Sequence, residues 1–299
     1  MKKAFVLDKI EGPFNFELST PSSPPWRRSN GSCSRLLRLS SGKLVLVSLV
    51  SFGTTEKPKL EVTIQSEILT NKEEEEEVVE KIFRVLGLDQ DLKGFYKFAQ
   101  RDPVLRQVVS DFYGLRGYSE PTVFETIVIA ILEQQVALAY AGKMRECIIR
   151  KFGEEMKVNG QVYYAFPSPE ALAKASVDQM RDCKLSRHKA SYIKGIAESI
   201  VKGEFDPEEL KQLSENRAIE RLLRLKGIGR WTAEYILARG LGKNVIPADD
   251  VALRKTTSEY YFAGKELSEK ETREFTKRWQ KYRGLAAFYL LYARRHTKK

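Results

Sequence analysis

From about residue 90 onward, every strong apolar period in this chain steps by three or four residues, the repeat of one face of a helix. Phe124, Ile127, Val128, Ile131 and Leu132 form one stripe, behind a Pro121 suited to a first helical position. Ser168 and Pro169 have the pattern of an N-cap and first helical residue, and an amphipathic segment runs from about Lys189 to Val201, ending near Gly203. The last segment, from about Lys270, carries Trp279, Tyr282, Leu285, Phe288, Tyr289 and Tyr292. Stripes of this kind are buried by packing helix on helix.

The first ninety residues differ. RLLRL and KLVLVSLV flank the turn sequence SSGK at residues 40–43, and Leu60, Val62 and Ile64 alternate with polar neighbours. These are expected to be antiparallel strands, the first two a hairpin. The acidic run Glu73 to Glu77 leads into Val78, Val79, Ile82, Phe83 and Leu86 on one helix face, where first-turn acids complement the helix dipole. The expected fold class is therefore α+β: a small N-terminal domain of antiparallel sheet and helix over residues 1–90, then a larger all-helical domain over 91–299. No internal repeat or low-complexity linker interrupts it.

The net charge of +11 makes nucleic acid the leading partner class, because a basic surface concentrates polyanions, and leaves a merely basic, charge-rich soluble protein as the alternative. The start, MKKAFVLDKIEG, has too few apolar residues for a secretory leader, and LVLVSLVSF at 44–52 is too short to span a bilayer as a helix, so an intracellular protein without membrane association is expected. Cys33, Cys147 and Cys183 are an odd number, widely separated and without a CxxC pair, which suggests neither a disulfide framework nor a cysteine-held metal. With only His188 and His296 besides, the chemistry is expected to rest on carboxylates.

The stretch LKGIGRWTAEY at 225–235 points to the site. Ile219, Leu222, Leu223 and Leu225 make a helical stripe, Gly227 falls where a helix end favours left-handed backbone, and a second helix starts near Arg230. A dinucleotide fingerprint is excluded, since Thr232 occupies its third glycine and a helix precedes it; a P-loop is absent. A helix-hairpin-helix at about 217–240 remains. Its glycines let backbone approach a phosphate, toward which the open amides of the new helix point. Lys226, Gly227, Ile228, Gly229, Arg230 and Thr232 are the candidate DNA-binding residues. The second helix reaches Arg239, stops at Gly240 and Gly242, and leads through NVIP to Asp249 and Asp250 before VALRKTTSEYY. One aspartate suffices as a cap, and since neighbouring side chains diverge, the other is free to face the cleft.

LKGIGRWTAEYILARG followed by PADDVALRK resembles the helix-hairpin-helix (HhH-GPD) DNA glycosylase superfamily of base-excision repair, in particular the 3-methyladenine DNA glycosylase II (AlkA) type. VFETIVIAILEQQVALAYAGKM is similar to the first core helices of that family, FPSPEALAKA to a segment between them, and the N-terminal strands with PPWRR at 24–28 to the domain that AlkA shares with 8-oxoguanine glycosylases.

The resemblance implies that Asp250 is the catalytic carboxylate, with Asp249 the lesser candidate, and that it stabilises positive charge building on the deoxyribose as the N-glycosidic bond breaks. It implies a monofunctional enzyme, because Trp231 occupies the position at which members that also cut the backbone carry a lysine. Trp231 and Tyr235 share a helix face and would stack a flipped, electron-poor base, with Leu291 where bacterial members have a second pocket tryptophan. Gln134 and Gln135 fall in the wedge loop, Gln135 at the position of the bacterial leucine wedge. No cofactor is expected; a structural Na+ or K+ on the carbonyls of Leu223, Leu225 and Gly227 is implied by the resemblance alone. The expected partner is damaged double-stranded DNA, bound by a monomer, with alkylated purines of the 3-methyladenine type as targets. A glycosylase for oxidised or deaminated bases and a non-catalytic helix-hairpin-helix DNA-binding protein are the alternatives.

Overall fold

A computed structural model of the chain describes residues 1–29, 31–117 and 119–297. β1 (Lys2–Leu7), β2 (Arg27–Ser29), β3 (Ser32–Arg38), β4 (Leu44–Ser51) and β5 (Leu60–Gln65) form an antiparallel sheet in the order β1-β5-β4-β3-β2. Its alternation places Val45, Val47, Leu49, Leu60, Val62 and Ile64 on a buried side, with Val47 opposite Ile64 and Leu49 opposite Val62. The Lys72–Leu86 helix covers that face with Val78, Ile82, Val85 and Leu86. The acidic run serves its start: the Asn71 side chain accepts from the Glu74 amide while Glu74 accepts from the Asn71 amide.

Two apolar clusters organise the helices that follow. The first surrounds the Val123–Glu133 helix, buried from Val123 to Leu132, and includes Ile219, Leu222, Ile228, Ala233, Ile236 and Leu237 of the hairpin. The second gathers Leu92, Phe95, Leu105, Leu253, Tyr289 and Leu290 around Trp279. The hairpin helix thus belongs to one cluster and the segment after Asp250 to the other, which puts both at a cleft between them.

A buried ion pair fastens the sheet to the helices. The Arg35 guanidinium of β3 donates to Glu125 at 2.5 Å and to Glu120 at 3.3 Å. Burial pushes the Glu125 carboxyl up and the Arg35 charge opposes that shift. Arg116, also buried, donates to the backbone carbonyls of Pro13, Gly87, Gln90 and Glu11.

Several local features differ from the sequence expectation. Thr122, not Pro121, brings in the Val123–Glu133 helix: its hydroxyl caps Glu125 N, so Pro121 lies before the cap. The mainly helical part contains a small hairpin, β6 (Glu155–Val158) with β7 (Gln161–Tyr164), turned by Asn159 and Gly160 at φ 50° and 77°. The final segment is two helices, Glu269–Thr276 and Arg283–Thr297, parted where Gln280 leaves helical geometry. Cys147 and Cys183 form a disulfide, contrary to the reading of three separate thiols; 36 residues of sequence hid a Cα separation of 5.3 Å.

Candidate active site

The hairpin joins the Glu215–Leu223 helix to the Arg230–Tyr235 helix, which continues through a wide π-helical turn at Ile236–Gly240. Gly227 has φ +89°, and a Cβ there would fall 2.2 Å from the Tyr192 ring, so glycine is required twice over. No side chain caps the Arg230–Tyr235 helix at Gly229, which leaves its first amides open. Lys226, Gly229 and Arg230 are exposed beside them.

The second helix carries Trp231 and Tyr235 into the cleft as a two-ring platform, centroids 5.4 Å apart and planes tilted by 34°. The Trp231 indole Nε1 donates to Asp250 Oδ2 at 3.1 Å. Asp250 Oδ1 accepts from Leu253 N at 2.8 Å and caps the Val251–Tyr261 helix. One carboxylate therefore does both jobs that the sequence reading divided between two. Asp249 has an exposed side chain, 3.9 Å from Arg254. The cap gives Asp250 one orientation and places it at the positive end of a helix dipole.

Trp231, Tyr235 and Asp250 line a cavity of about 1950 Å³ whose wall also includes Phe83 and Arg84 of the N-terminal domain. Leu291, Phe288 and Tyr292 of the Arg283–Thr297 helix contribute apolar wall, and the Arg239 guanidinium lies over the Phe288 ring at 5.7 Å. Tyr235 Oη donates to Glu133 Oε2 at 2.8 Å, and Glu133 lines the cavity too.

Glu133 begins the loop that faces the hairpin. Gln134 Nε2 donates to the Gly227 carbonyl at 2.9 Å and to Thr232 Oγ1 at 3.0 Å, while Gln135 is exposed with φ 53°, left-handed backbone that a non-glycine residue rarely adopts. The Lys189 ammonium donates to the carbonyls of Leu132 and Gln134 at 2.8 and 2.7 Å, fixing the loop from beneath; burial draws its pKa down and the nearby Glu133 opposes this.

Residues 128–281 match the HhH-GPD superfamily of base excision DNA repair proteins. A DNA-3-methyladenine glycosylase of Bacillus subtilis is 34% identical over 216 residues, 72% of this chain and 71% of that one. The solved 3-methyladenine DNA-glycosylase of Archaeoglobus fulgidus superposes with a TM-score of 0.86 at 35% identity, covering 99% of this chain and 100% of that one. The chain belongs to the HhH-GPD superfamily. It is a DNA glycosylase of base-excision repair. A probable N-glycosylase/DNA lyase of Methanothermobacter thermautotrophicus is also related, at 24% identity over 96% of this chain and 95% of that one.

Within this HhH-GPD hairpin the expected DNA-binding residues separate into two groups. Ile228 and Thr232 are 5% and 3% exposed, so their side chains belong to the core and to Gln134, and only their backbone is available to DNA. Gln134 likewise spends its amide on the hairpin, leaving Gln135 as the outward residue of the pair. Of the three carbonyls named for a cation, that of Leu225 accepts from Ile228 N and that of Gly227 from Gln134, which leaves each one lone pair. Glu133 had no signal in the sequence beyond lying next to the glutamines. It meets Tyr235 across a separation of 102 residues.

Proposed function

We propose that this glycosylase is monofunctional: it flips an alkylated purine of the 3-methyladenine type out of damaged duplex DNA, hydrolyses its N-glycosidic bond and leaves an abasic site. The observation that carries the reading is the Trp231 to Asp250 hydrogen bond inside the cavity. Breaking the bond between base and C1′ builds positive charge on the sugar, which the Asp250 carboxylate, fixed by cap and indole, stabilises. Water adds to C1′ and gives up a proton, and a base already cationic departs neutral, so no acid is required to protonate it. Where a lyase needs an amine to attack the sugar, this chain has an indole, which cannot form a Schiff base.

The hairpin amides with Lys226 and Arg230 would hold the phosphate backbone without reading sequence, and Gln135 would fill the space left by the flipped base. The protein would work as a monomer and need no cofactor. A Na+ or K+ on the free lone pairs of Leu223, Leu225 and Gly227 would add a fixed positive charge to the grip; duplex affinity would then fall when both are replaced by a bulky organic cation at constant ionic strength.

The test is base release from duplexes that each carry one lesion, followed by borohydride treatment. Release of alkylated purines with no covalent protein–DNA adduct is expected. A trapped adduct would contradict the monofunctional reading, and release of only oxidised or deaminated bases would contradict the substrate.

A further inference from the structure

The aromatic platform has a carboxylate at each of its polar ends. At the indole is Asp250; at the phenol is Glu133, whose Oε2 accepts from Tyr235 Oη at 2.8 Å. The reaction described above uses only the first. Glu133 closes the Val123–Glu133 helix and is half-buried in the wall of the same cavity. Its backbone is held on both sides, since Lys189 grips the carbonyls of Leu132 and Gln134. Oε2 takes the tyrosine hydrogen bond, and among the described residues none donates to Oε1.

A residue that protonates a leaving base must hold a proton and present it to the cavity. Glu133 instead turns Oε2 to the Tyr235 hydroxyl, from which it accepts a hydrogen bond. A negative charge at the edge of two stacked rings does something else. The ring faces attract a cation through their quadrupole, and the carboxylate adds a Coulomb attraction that a neutral base of the same size does not feel. Arg239 lines the same cavity, and its positive charge works against a cationic guest.

We infer that Glu133 is a specificity-determining residue, selecting flipped bases that carry a positive charge over neutral ones. The inference rests on the base-removal reading of the site and adds the residue that sets its charge preference. Asp250 stabilises the sugar cation that forms from any substrate; Glu133 distinguishes substrates before the bond breaks, by the charge of the base.

The test compares equilibrium affinity for one duplex carrying 7-methylguanine, cationic while joined to its sugar, and the same duplex carrying neutral hypoxanthine. Wild type is expected to favour the cationic lesion, and Glu133→Gln, which keeps an acceptor for Tyr235, to lose about tenfold of that ratio. Tyr235→Phe removes the hydroxyl but keeps the charge, and is expected to retain most of the preference. An unchanged ratio in Glu133→Gln, an equal loss on both duplexes, or a loss of the ratio in Tyr235→Phe as large as in Glu133→Gln would overturn the inference. Base release is followed in the same samples: if wild type and Glu133→Gln show the expected affinity ratios but no base leaves, the base-removal reading fails and the charge selection stands.

Discussion

Gln134 reaches from the loop after the Val123–Glu133 helix to the hairpin and donates one amide to both the Gly227 carbonyl and the Thr232 hydroxyl. Two elements 93 residues apart in sequence are thereby fixed at one distance, the loop proposed to enter the duplex and the hairpin proposed to grip its backbone. Gln134→Ala should cost about 1–3 kcal/mol of stability, since it leaves partly buried acceptors without their donor. It should also weaken binding to lesion duplex several-fold. Denaturant unfolding and a binding titration on the same variant check both; two unchanged values would show that the bridge has no mechanical role.

The neighbouring Gln135 predicts the opposite sign on stability. Its φ of 53° is strained for a side chain and natural for glycine, and the side chain is exposed. Gln135→Gly should leave stability unchanged or raise it by up to about 1 kcal/mol, while lowering discrimination between lesion and intact duplex. A variant that lost stability yet kept discrimination would refute the wedge assignment.

The cap made by Asp250 and its proposed role in catalysis can be separated by one substitution. Asparagine caps a helix about as well as aspartate, so Asp250→Asn should melt close to wild type, whereas the charge proposed to stabilise the sugar cation is gone and base release should fall on the order of 10²–10³-fold. Asp250→Ala should lose the same activity and, in addition, about 0.5–2 kcal/mol of stability. Asp249→Asn should change neither, because that side chain is exposed and 3.9 Å from its nearest cation. Single-turnover release with all three variants decides which aspartate acts.

What the sequence disclosed and what it withheld follow from the range of the interactions. The glycines of KGIG, the helical stripes and the aspartate before VALRK are local signals, written within one turn or one helix, and each appears in the structure near where its residues point. Tyr235 with Glu133, Gln134 with Thr232 and Cys147 with Cys183 are side-chain meetings between separate elements, for which a single sequence has no marker. Even the local pair Gln134 and Gln135 was ambiguous, because which of them faces inward depends on where the helix ends and on one left-handed residue. The strand β1 escaped for the same reason: its residues alternate weakly, and pairing with β5, not its own pattern, makes it a strand.

The disulfide allows the last of these nonlocal contacts to be measured. Cys147 lies in the Leu138–Phe152 helix that follows the loop of Gln134 and Gln135, and Cys183 stands three residues before Ser186, the cap of the helix that carries Lys189. Closing a loop over a separation of 36 residues limits the unfolded chain, which corresponds to about 3–4 kcal/mol of stabilisation. Unfolding in denaturant with and without reductant should show a lower midpoint for the reduced protein, and the Cys147→Ser/Cys183→Ser protein should match the reduced form in either condition. Because Lys189 fixes the Leu132 and Gln134 carbonyls, hydrogen exchange in the reduced protein should quicken first around residues 184–190, and lesion binding should weaken with it. Thiol titration of the unreduced, denatured chain is the deciding control: one reactive thiol, Cys33, is expected, and three would mean that the bridge does not form.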